Sequence, residues 1–360
     1  MPGLSRLTAG LPLPVILLTY GLAGIGGLLA SAMGLPLAML LGSMITTAGA
    51  AMLGLRFFGH APSVPQKWRF VLVPIIGVAI GASFPEDFLT QARQWWVTLA
   101  ALMVFIPIAQ GLGFGLFRRF GRLDRQTAYF AAMPGGFIES LDMGERAGAD
   151  MTMLIMLQFL RLILCIVLIP IGFSIFEGHA VGGAAGMSLA TREPLSAFDA
   201  GFLAMLALLG WFIASRLKMP AAVLSGPLLL SGLAHATGLT HAAPPGWTIL
   251  VTQWIMGASL GVRLAGFSKG QAGMALVLSV VNVSALLLIA LLIALTLSGP
   301  VGEPVSAVLL AFAPGGVSEM SLVALSLHLS AVYVTLHHLA RIVLAVLFAR
   351  FGQRFVPGAP

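Results

Sequence analysis

The sequence predicts an all-α polytopic membrane protein with about ten transmembrane helices in two inverted five-helix repeats. The 360 residues are 59% hydrophobic and only 9% charged, whereas a soluble domain carries about 25% charged residues. Apolar runs near the length that crosses ~30 Å of hydrocarbon recur along the whole chain. A third observation is duplication, because residues 131–139 and 311–319 share the pattern Pro-Gly-Gly-x-x-Glu. No soluble domain is visible.

Five apolar segments are predicted in each half of the chain. They lie near 13–32, 36–55, 69–84, 96–117 and 150–175, and near 198–215, 220–237, 248–264, 272–297 and 330–350. The first could pass for a signal peptide, but residues 29–36 line up with 213–220, which favours a retained helix. We therefore expect repeats at 12–175 and 197–350, joined by a loop at 176–196.

Glycine and proline positions fix the register between the repeats, since these residues punctuate the backbone path. At an offset of 184 positions, Pro36, Gly42 and Gly54 match Pro220, Gly226 and Gly238. At an offset of 180 positions, a second set matches residue for residue: Pro134, Gly135, Gly136, Glu139 and Arg161 with Pro314, Gly315, Gly316, Glu319 and Arg341.

The Pro-Gly-Gly segments, 126–146 and 305–326, decide the topology. If they re-enter without crossing, each repeat crosses five times and the repeats are inverted; if they cross, the repeats are parallel. The positive-inside rule favours inversion. With a cytoplasmic N-terminus, this arrangement leaves only Arg93 and Arg192 among the loop cations outside. It also places the C-terminus in the cytoplasm. We expect a multi-pass protein of a bacterial inner membrane.

The duplicated segments also carry the candidate site. Pro134 and Pro314 lack an amide proton, so a helix must break there, and a break at membrane depth has to be buried or line a wet cavity. The half-helix that follows presents N–H groups that suit an anion. Glu139 and Glu319 lie in its first turn. They could cap those amides, or hold a proton or cation until a substrate arrives.

An arginine lies inside an apolar run in each repeat, at Arg161 and Arg341. A charge there is costly without a partner, which could be the repeat's Glu, a substrate anion or a backbone carbonyl. A structural Glu–Arg pair that locks the helices is the alternative to a binding role. His338 occupies the position of Gln158 and could relay protons. A metal site among His328, His337 and His338 is the weaker idea, because no helical i, i+4 ligand pair occurs.

With these motifs, and with Pro36 and Pro220 matched, the chain resembles the membrane AbrB family, bacterial inner-membrane proteins defined by a duplicated domain. The resemblance covers nearly the whole chain. It implies a transporter-like build, although members carry names such as ammonia monooxygenase and regulator of gene expression. The soluble DNA-binding regulator that shares the name does not resemble this hydrophobic chain. The residues do not support the monooxygenase name, because copper and iron oxygenases need clustered His and carboxylate ligands.

We expect secondary transport of a small anionic or zwitterionic solute, coupled to a proton or cation. The predicted substrate-binding residues, drawn from both repeats, are Pro134, Gly135, Gly136, Glu139, Arg161, Pro314, Gly315, Gly316, Glu319, His338 and Arg341. The competing hypothesis is a membrane sensor that regulates gene expression through a partner without transport. We expect no enzymatic activity, cofactor, metal or nucleic acid. The bilayer and the solute are the expected partners, and a homo-oligomer is an open alternative to a monomer.

Overall fold

The computed structural model describes residues 8, 10–84, 88–177, 195–264 and 269–355. Within these ranges the chain forms 15 α-helices and no β-strand, and its one isolated bridge joins Phe57 to His60. The all-helical prediction is confirmed. The predicted loop 176–196 lies almost entirely outside the described residues.

The ten predicted apolar segments all form helices. In the first half these are α1 (Leu13–Ala32), α2 (Ala38–Met52), α3 (Lys67–Gly81), α5 (Trp96–Arg119) and α8 (Met151–Glu177), with the short α4 (Phe88–Ala92) before α5. In the second half they are α9 (Ala197–Arg216), α10 (Ala222–Ala236), α11 (Gly246–Gly261), α12 (Lys269–Val301) and α15 (Ala331–Gly352). Short 3₁₀ turns follow α11 and α15 at Val262–Leu264 and Gln353–Phe355.

Each Pro-Gly-Gly segment is a broken helix. The first consists of α6 (Arg125–Ala131) and α7 (Phe137–Arg146), and the second consists of α13 (Val305–Phe312) and α14 (Val317–Ser326). The order of elements is therefore the same in both halves. Backbone details also repeat, because Leu37 and Ala221, matched at the offset of 184, both take the left-handed conformation, with φ of 45° and 48°.

Among the described residues, six helices are long and apolar enough to cross a membrane: α1, α5, α8, α9, α12 and α15. The other four, α2, α3, α10 and α11, have 15 or 16 residues. At 1.5 Å per residue they are about 22–24 Å long, shorter than the ~30 Å hydrocarbon core. Large apolar side chains face outward, such as Leu28 (65% exposed), Leu208 (63%) and Leu292 (56%). Together these features indicate a membrane protein.

The chain divides into two compact units, and each takes helices from both halves of the sequence. Unit 1 comprises Met1–Phe84, Pro170–Gly266 and Leu325–His328, and unit 2 comprises Pro85–Ile169, Phe267–Ala324 and Leu329–Pro360. Unit 1 thus holds α1–α3 and α9–α11. Unit 2 holds α4–α7, α12, α13, α15 and the greater part of α8 and α14. The boundaries of the compact units therefore differ from the boundaries of the sequence repeats.

In unit 1, glycines let helices of the two halves approach closely. α3 packs on α10, where Gly77 faces the Leu224 carbonyl, and α11 packs on α2, where Gly257 faces the Leu40 carbonyl. Residues 40 and 224 are matched at the offset of 184, so the two contacts are equivalent. A methyl group at either glycine would collide with that carbonyl. Gly77 and Gly257 each begin a Gly-x-x-x-Gly pattern, completed by Gly81 and Gly261, and these small residues act in helix packing as they do in membrane bundles.

Unit 2 is built around α5. This helix packs against α6, α12 and α15, while α13 packs against both α12 and α15. A buried apolar cluster, with members that include Phe130, Met153, Leu157 and Leu278, fills the space beside the first broken helix. The two broken helices and the two arginine-bearing segments all belong to this unit.

We predict that Gly257→Ala destabilises the protein by about 1–3 kcal/mol, because the added methyl overpacks the contact with α2. The matched control is Gly49→Ala on α2, where nothing lies within 4 Å of the new methyl. The control should be neutral or stabilising by up to ~1 kcal/mol through helix propensity. Thermal unfolding in detergent measures both, and equal melting temperatures for the two variants would contradict this packing.

Candidate functional site

The site lies where the two helices break. α6 ends at Ala131 and the chain resumes as α7 at Phe137, so Pro134 and Gly135 lie between two helix ends. Gly136, at the N-cap of α7, has φ of 69°, a left-handed conformation that glycine adopts without a steric cost. Pro314, Gly315 and Gly316 likewise lie between the end of α13 and the start of α14. Each break exposes the carbonyls of one helix end and the amides of the next.

The arginines donate to backbone carbonyls within the two breaks. On α8, Arg161 Nη1 donates to the Met133 carbonyl, and on α15, Arg341 Nη1 donates to the equivalent Ala313 carbonyl. Arg341 Nη2 also donates to the Gly315 carbonyl at 2.6 Å. A cation at a helix C-terminus also meets the negative end of the helix dipole. Of the three partners considered for these arginines, the described structure supplies backbone carbonyls.

A second donor lies one turn before each arginine. Gln158 Nε2 donates to the Phe130 carbonyl at 2.8 Å, and His338 Nε2 lies 2.9 Å from the equivalent Leu310 carbonyl. Because a carbonyl only accepts, His338 must carry its proton on Nε2. Its Nδ1 then accepts from Arg341 Nη2 at 2.8 Å. The amide and the imidazole therefore perform the same capping task in the two halves.

Both arginines are buried and interact electrostatically. Arg161 and Arg341 are 4% and 2% exposed, and they are close enough to repel each other electrostatically. The Cys165 thiol lies within electrostatic range of both. Gly135 of the first break packs against the Arg341 side chain, which in turn binds Gly315 of the second break. Arg341 thus links the two Pro-Gly-Gly tips and concentrates positive charge between them.

The glutamates fold over their own glycines. Glu319, 7% exposed, accepts from Ser318 Oγ at 2.9 Å, and its carboxyl occupies space that a side chain at Gly316 would need. Glu139 is half-buried and lies over Gly136 in the same manner. Both carboxylates are in the first turn of a helix, at the positive end of its dipole.

Neither arginine forms an ion pair with a carboxylate in the part of the chain that the structure describes. The one ion pair found there joins Arg146 to Asp142 on the exposed face of α7, at 2.9 Å. The Nε atoms of Arg161 and Arg341 are buried and lack a hydrogen-bond partner. The site therefore holds two buried guanidinium groups, within electrostatic range of each other, that have no carboxylate partner among the described residues.

The structure places all eleven predicted site residues in unit 2 and also brings in residues that the sequence analysis missed. Glu303 is a buried carboxylic acid, and Thr98 lies 2.9 Å from His337. The repeat register contains a signal for Glu303, because the matched residue is Leu123 and a charge has been gained in one half only. No group of three or more potential metal ligands forms among the described residues.

We predict that His338→Leu destabilises the protein by about 1–3 kcal/mol, because it removes the side-chain donor of the Leu310 carbonyl and leaves only the longer contact with the Ala313 amide, at 3.3 Å. His338→Gln should keep most of the stability, since the equivalent Gln158 already makes this hydrogen bond in the first half. Arg146→Ala, which removes only an exposed ion pair, should cost at most ~1 kcal/mol. Melting temperatures in detergent test the order, and His338→Leu matching His338→Gln would show that the carbonyl needs no side-chain donor.

Comparison with known proteins agrees with the sequence motifs. The family described as "AbrB: Transition state regulatory protein AbrB" matches residues 50–356. A Bacillus subtilis (strain 168) protein, "Uncharacterized protein YhjN", is 25% identical over 340 residues, covering 89% of this chain and 88% of its own. An Escherichia coli (strain K12) protein, "Putative regulator AbrB", is 24% identical over 240 residues, covering 65% of each chain. Since the family match spans most of the sequence, this chain belongs to the AbrB family.

Proposed function

We propose that this protein is a secondary transporter of a small anionic or zwitterionic solute, coupled to a proton or another cation. One observation carries the proposal: two buried guanidinium groups, one from each half of the chain, lie within electrostatic range of each other without a carboxylate partner among the described residues. Uncompensated charge in an apolar interior is costly. An incoming anion would supply the missing negative charge.

The residues of the two breaks take complementary roles in this mechanism. Arg161 and Arg341 balance the substrate charge with their unpaired Nε–H groups, while their Nη atoms stay on the carbonyls. Glu139 and Glu319 hold the coupling proton or cation near the glycines of each tip. The amides at the starts of α7 and α14 line the site. Alternating access comes from one helical bundle moving against the other, as in other transporters with internal repeats.

The proposed topology is the inverted one, with ten crossing helices, re-entrant Pro-Gly-Gly segments, and both termini in the cytoplasm of a bacterial cell. The equivalent glycine contacts of α3 with α10 and of α11 with α2 support a two-fold relation between repeats 12–175 and 197–350. Four of the crossings are then short helices. They would span a thinned or partly protein-lined stretch of the inner membrane.

The proposal includes no enzymatic step, cofactor or nucleic-acid partner. Its partners are the lipid bilayer and the solute, and a homo-oligomer remains compatible with it. The second candidate is a membrane regulator of gene expression that binds a ligand and acts through a partner. The names of the family and of the E. coli relative favour this reading. The two candidates differ in whether the bound solute crosses the membrane.

We predict that pools of small organic acids, amino acids or amines raise the melting temperature of the purified protein, because a ligand of the folded state stabilises it. The free energy of unfolding should rise by ~2.7 kcal/mol when the ligand is at 100 times its Kd. Arg161→Ala and Arg341→Ala should lose the gain relative to their own ligand-free melts. Arg146→Ala, which removes only an exposed ion pair, should retain the ligand-induced rise in melting temperature.

The comparison within each variant separates binding from stability, since the arginine variants also lose carbonyl capping. A hit that survives both arginine substitutions would remove the charge argument. A lost hit would justify a flux assay in proteoliposomes, and binding without flux would then move the regulator ahead of the transporter.

The inverted topology predicts that a cysteine at Ala185, in a Cys165→Ala background, reacts with a membrane-impermeant maleimide from outside the cell. This position lies outside the described residues. A cysteine at Arg119, the end of α5, should react only after the membrane is opened. Labelling of position 185 from the cytoplasm alone would exclude the inverted repeats.

A further inference from the structure

Glu303 is a buried carboxylic acid just beyond the end of α12. It is 8% exposed, and the groups around it are the indole of Trp95, the hydroxyl of Ser330 and the phenol of Tyr333. None of these carries a positive charge. Burial raises the pKa of the Glu303 carboxyl to about 7, although the Ser330 and Trp95 groups oppose the rise. This carboxyl therefore exchanges a proton close to neutral pH.

Polar groups continue from Glu303 within unit 2. The Tyr333 hydroxyl is buried, lies near both Glu303 and Thr98, and lacks a well-formed hydrogen bond. Thr98 Oγ1 lies 2.9 Å from His337 Nε2, and the Tyr333 and His337 rings are 4.1 Å apart. The Trp95 ring packs edge-on against Tyr333. A line of proton-exchanging groups therefore runs from Glu303 to His337.

The hydrogen bonds of His337 suit a histidine that gains and loses a proton. Its Nδ1 lies 2.8 Å from the Tyr333 carbonyl, so Nδ1 carries a proton in the neutral ring. Thr98 Oγ1 has one proton and two acceptors, His337 Nε2 and the Trp95 carbonyl at 3.0 Å. When the imidazole of His337 is neutral, Thr98 can donate to only one of these two acceptors. With imidazolium, Nε2–H donates to Thr98, Thr98 donates to the carbonyl, and all three contacts are satisfied.

The positions that the repeat matches to this line hold no counterpart of it. The residues matched to Glu303, Tyr333 and His337, 180 positions earlier, are Leu123, Met153 and Leu157. The residues matched to Trp95 and Thr98, 180 positions later, are Ala275 and Leu278. Four of these five are buried in one apolar cluster, and Leu123 packs against it. The two sets of matched positions are therefore polar in one case and apolar in the other.

We propose that Glu303, Tyr333, Thr98 and His337 form a one-sided proton relay to the anion site. The protonated Glu303 carboxyl gives its proton to the Tyr333 oxygen, the phenolic proton passes to Thr98 Oγ1, and the threonine proton passes to His337 Nε2. Glu303 ends as a carboxylate and His337 as an imidazolium, while the two hydroxyls are restored. This inference rests on the proposed function, and it adds the route by which the coupling proton arrives.

The relay ends beside the arginines. His337 interacts electrostatically with His338, which accepts from Arg341, and Arg341 in turn feels Arg161. The other group near these charges is the Cys165 thiol. A proton on His337 adds a third positive charge and strengthens the attraction for an anion. By linkage, the bound anion raises the proton affinity of His337 by the same factor.

The test is a ligand-free pH titration of the purified protein. The infrared C=O stretch of protonated Glu303 should vanish with a midpoint of about pH 7. When Glu303 ionises, Tyr333 turns to donate to it and no longer donates to Thr98, which changes the hydrogen bond between Thr98 Oγ1 and His337 Nε2. With ¹⁵N-labelled histidine, the His337 Nε2 resonance, assigned by its loss in His337→Phe, should therefore shift with the same midpoint. Both changes should disappear in Glu303→Gln.

Matched variants separate the relay from a general effect of pH. Thr98→Val, close in shape to the native residue, should keep the carboxyl titration and abolish the His337 shift. Glu145→Gln, which removes an exposed acid of α7, should alter neither. A carboxyl that does not titrate near neutral pH, or a His337 shift that persists in Glu303→Gln or Thr98→Val, would overturn the relay. A failed ligand screen with these titrations intact would overturn transport instead.

Discussion

The pairing of arginine with the carbonyls of a broken helix is the interaction on which the rest of the site depends. A proline ends the hydrogen bonding of α6 and of α13 inside an apolar unit, so several carbonyls need donors that water cannot supply. Arg161 and Arg341 are those donors, each helped by a residue one turn earlier. Because a carbonyl is neutral, these hydrogen bonds leave the positive charge of both guanidinium groups able to attract an anion. A structural requirement of the backbone therefore produces an electrostatic site.

The repeat and its helices could be predicted from the sequence because glycine, proline and apolar periodicity are local signals. The ten predicted segments and both helix breaks form as expected, as does membership of the AbrB family. The partner of each arginine could not be chosen from sequence, because a carbonyl is present at every position and only the fold shows which ones are unpaired. Glu303 escaped notice for a related reason: an isolated acid in a connection usually faces solvent, and only packing shows that it is buried.

Packing also explains why the compact units do not follow the repeats. Helices α3 and α11 each have glycines on one face, and the backbone that can approach those glycines belongs to the other half of the sequence. Each half thus supplies three helices to unit 1 and contributes its broken helix to unit 2. A sequence boundary drawn between the repeats describes how the chain is duplicated. The contacts show that helices of one half pack against helices of the other half, which no local sequence pattern reveals.

One apolar cluster lies at positions that the repeat matches to the polar line, and its members include Met153, Leu157, Ala275 and Leu278. Its composition has a consequence beyond packing. If both halves carried exchangeable protons up to the arginines, protons could cross the bilayer without any solute and dissipate the gradient that drives transport. Leucine and methionine have no proton to pass. In the proposed mechanism the apolar cluster blocks proton leakage. The divergence of the two duplicated halves thus lets protons reach the arginines from one side only.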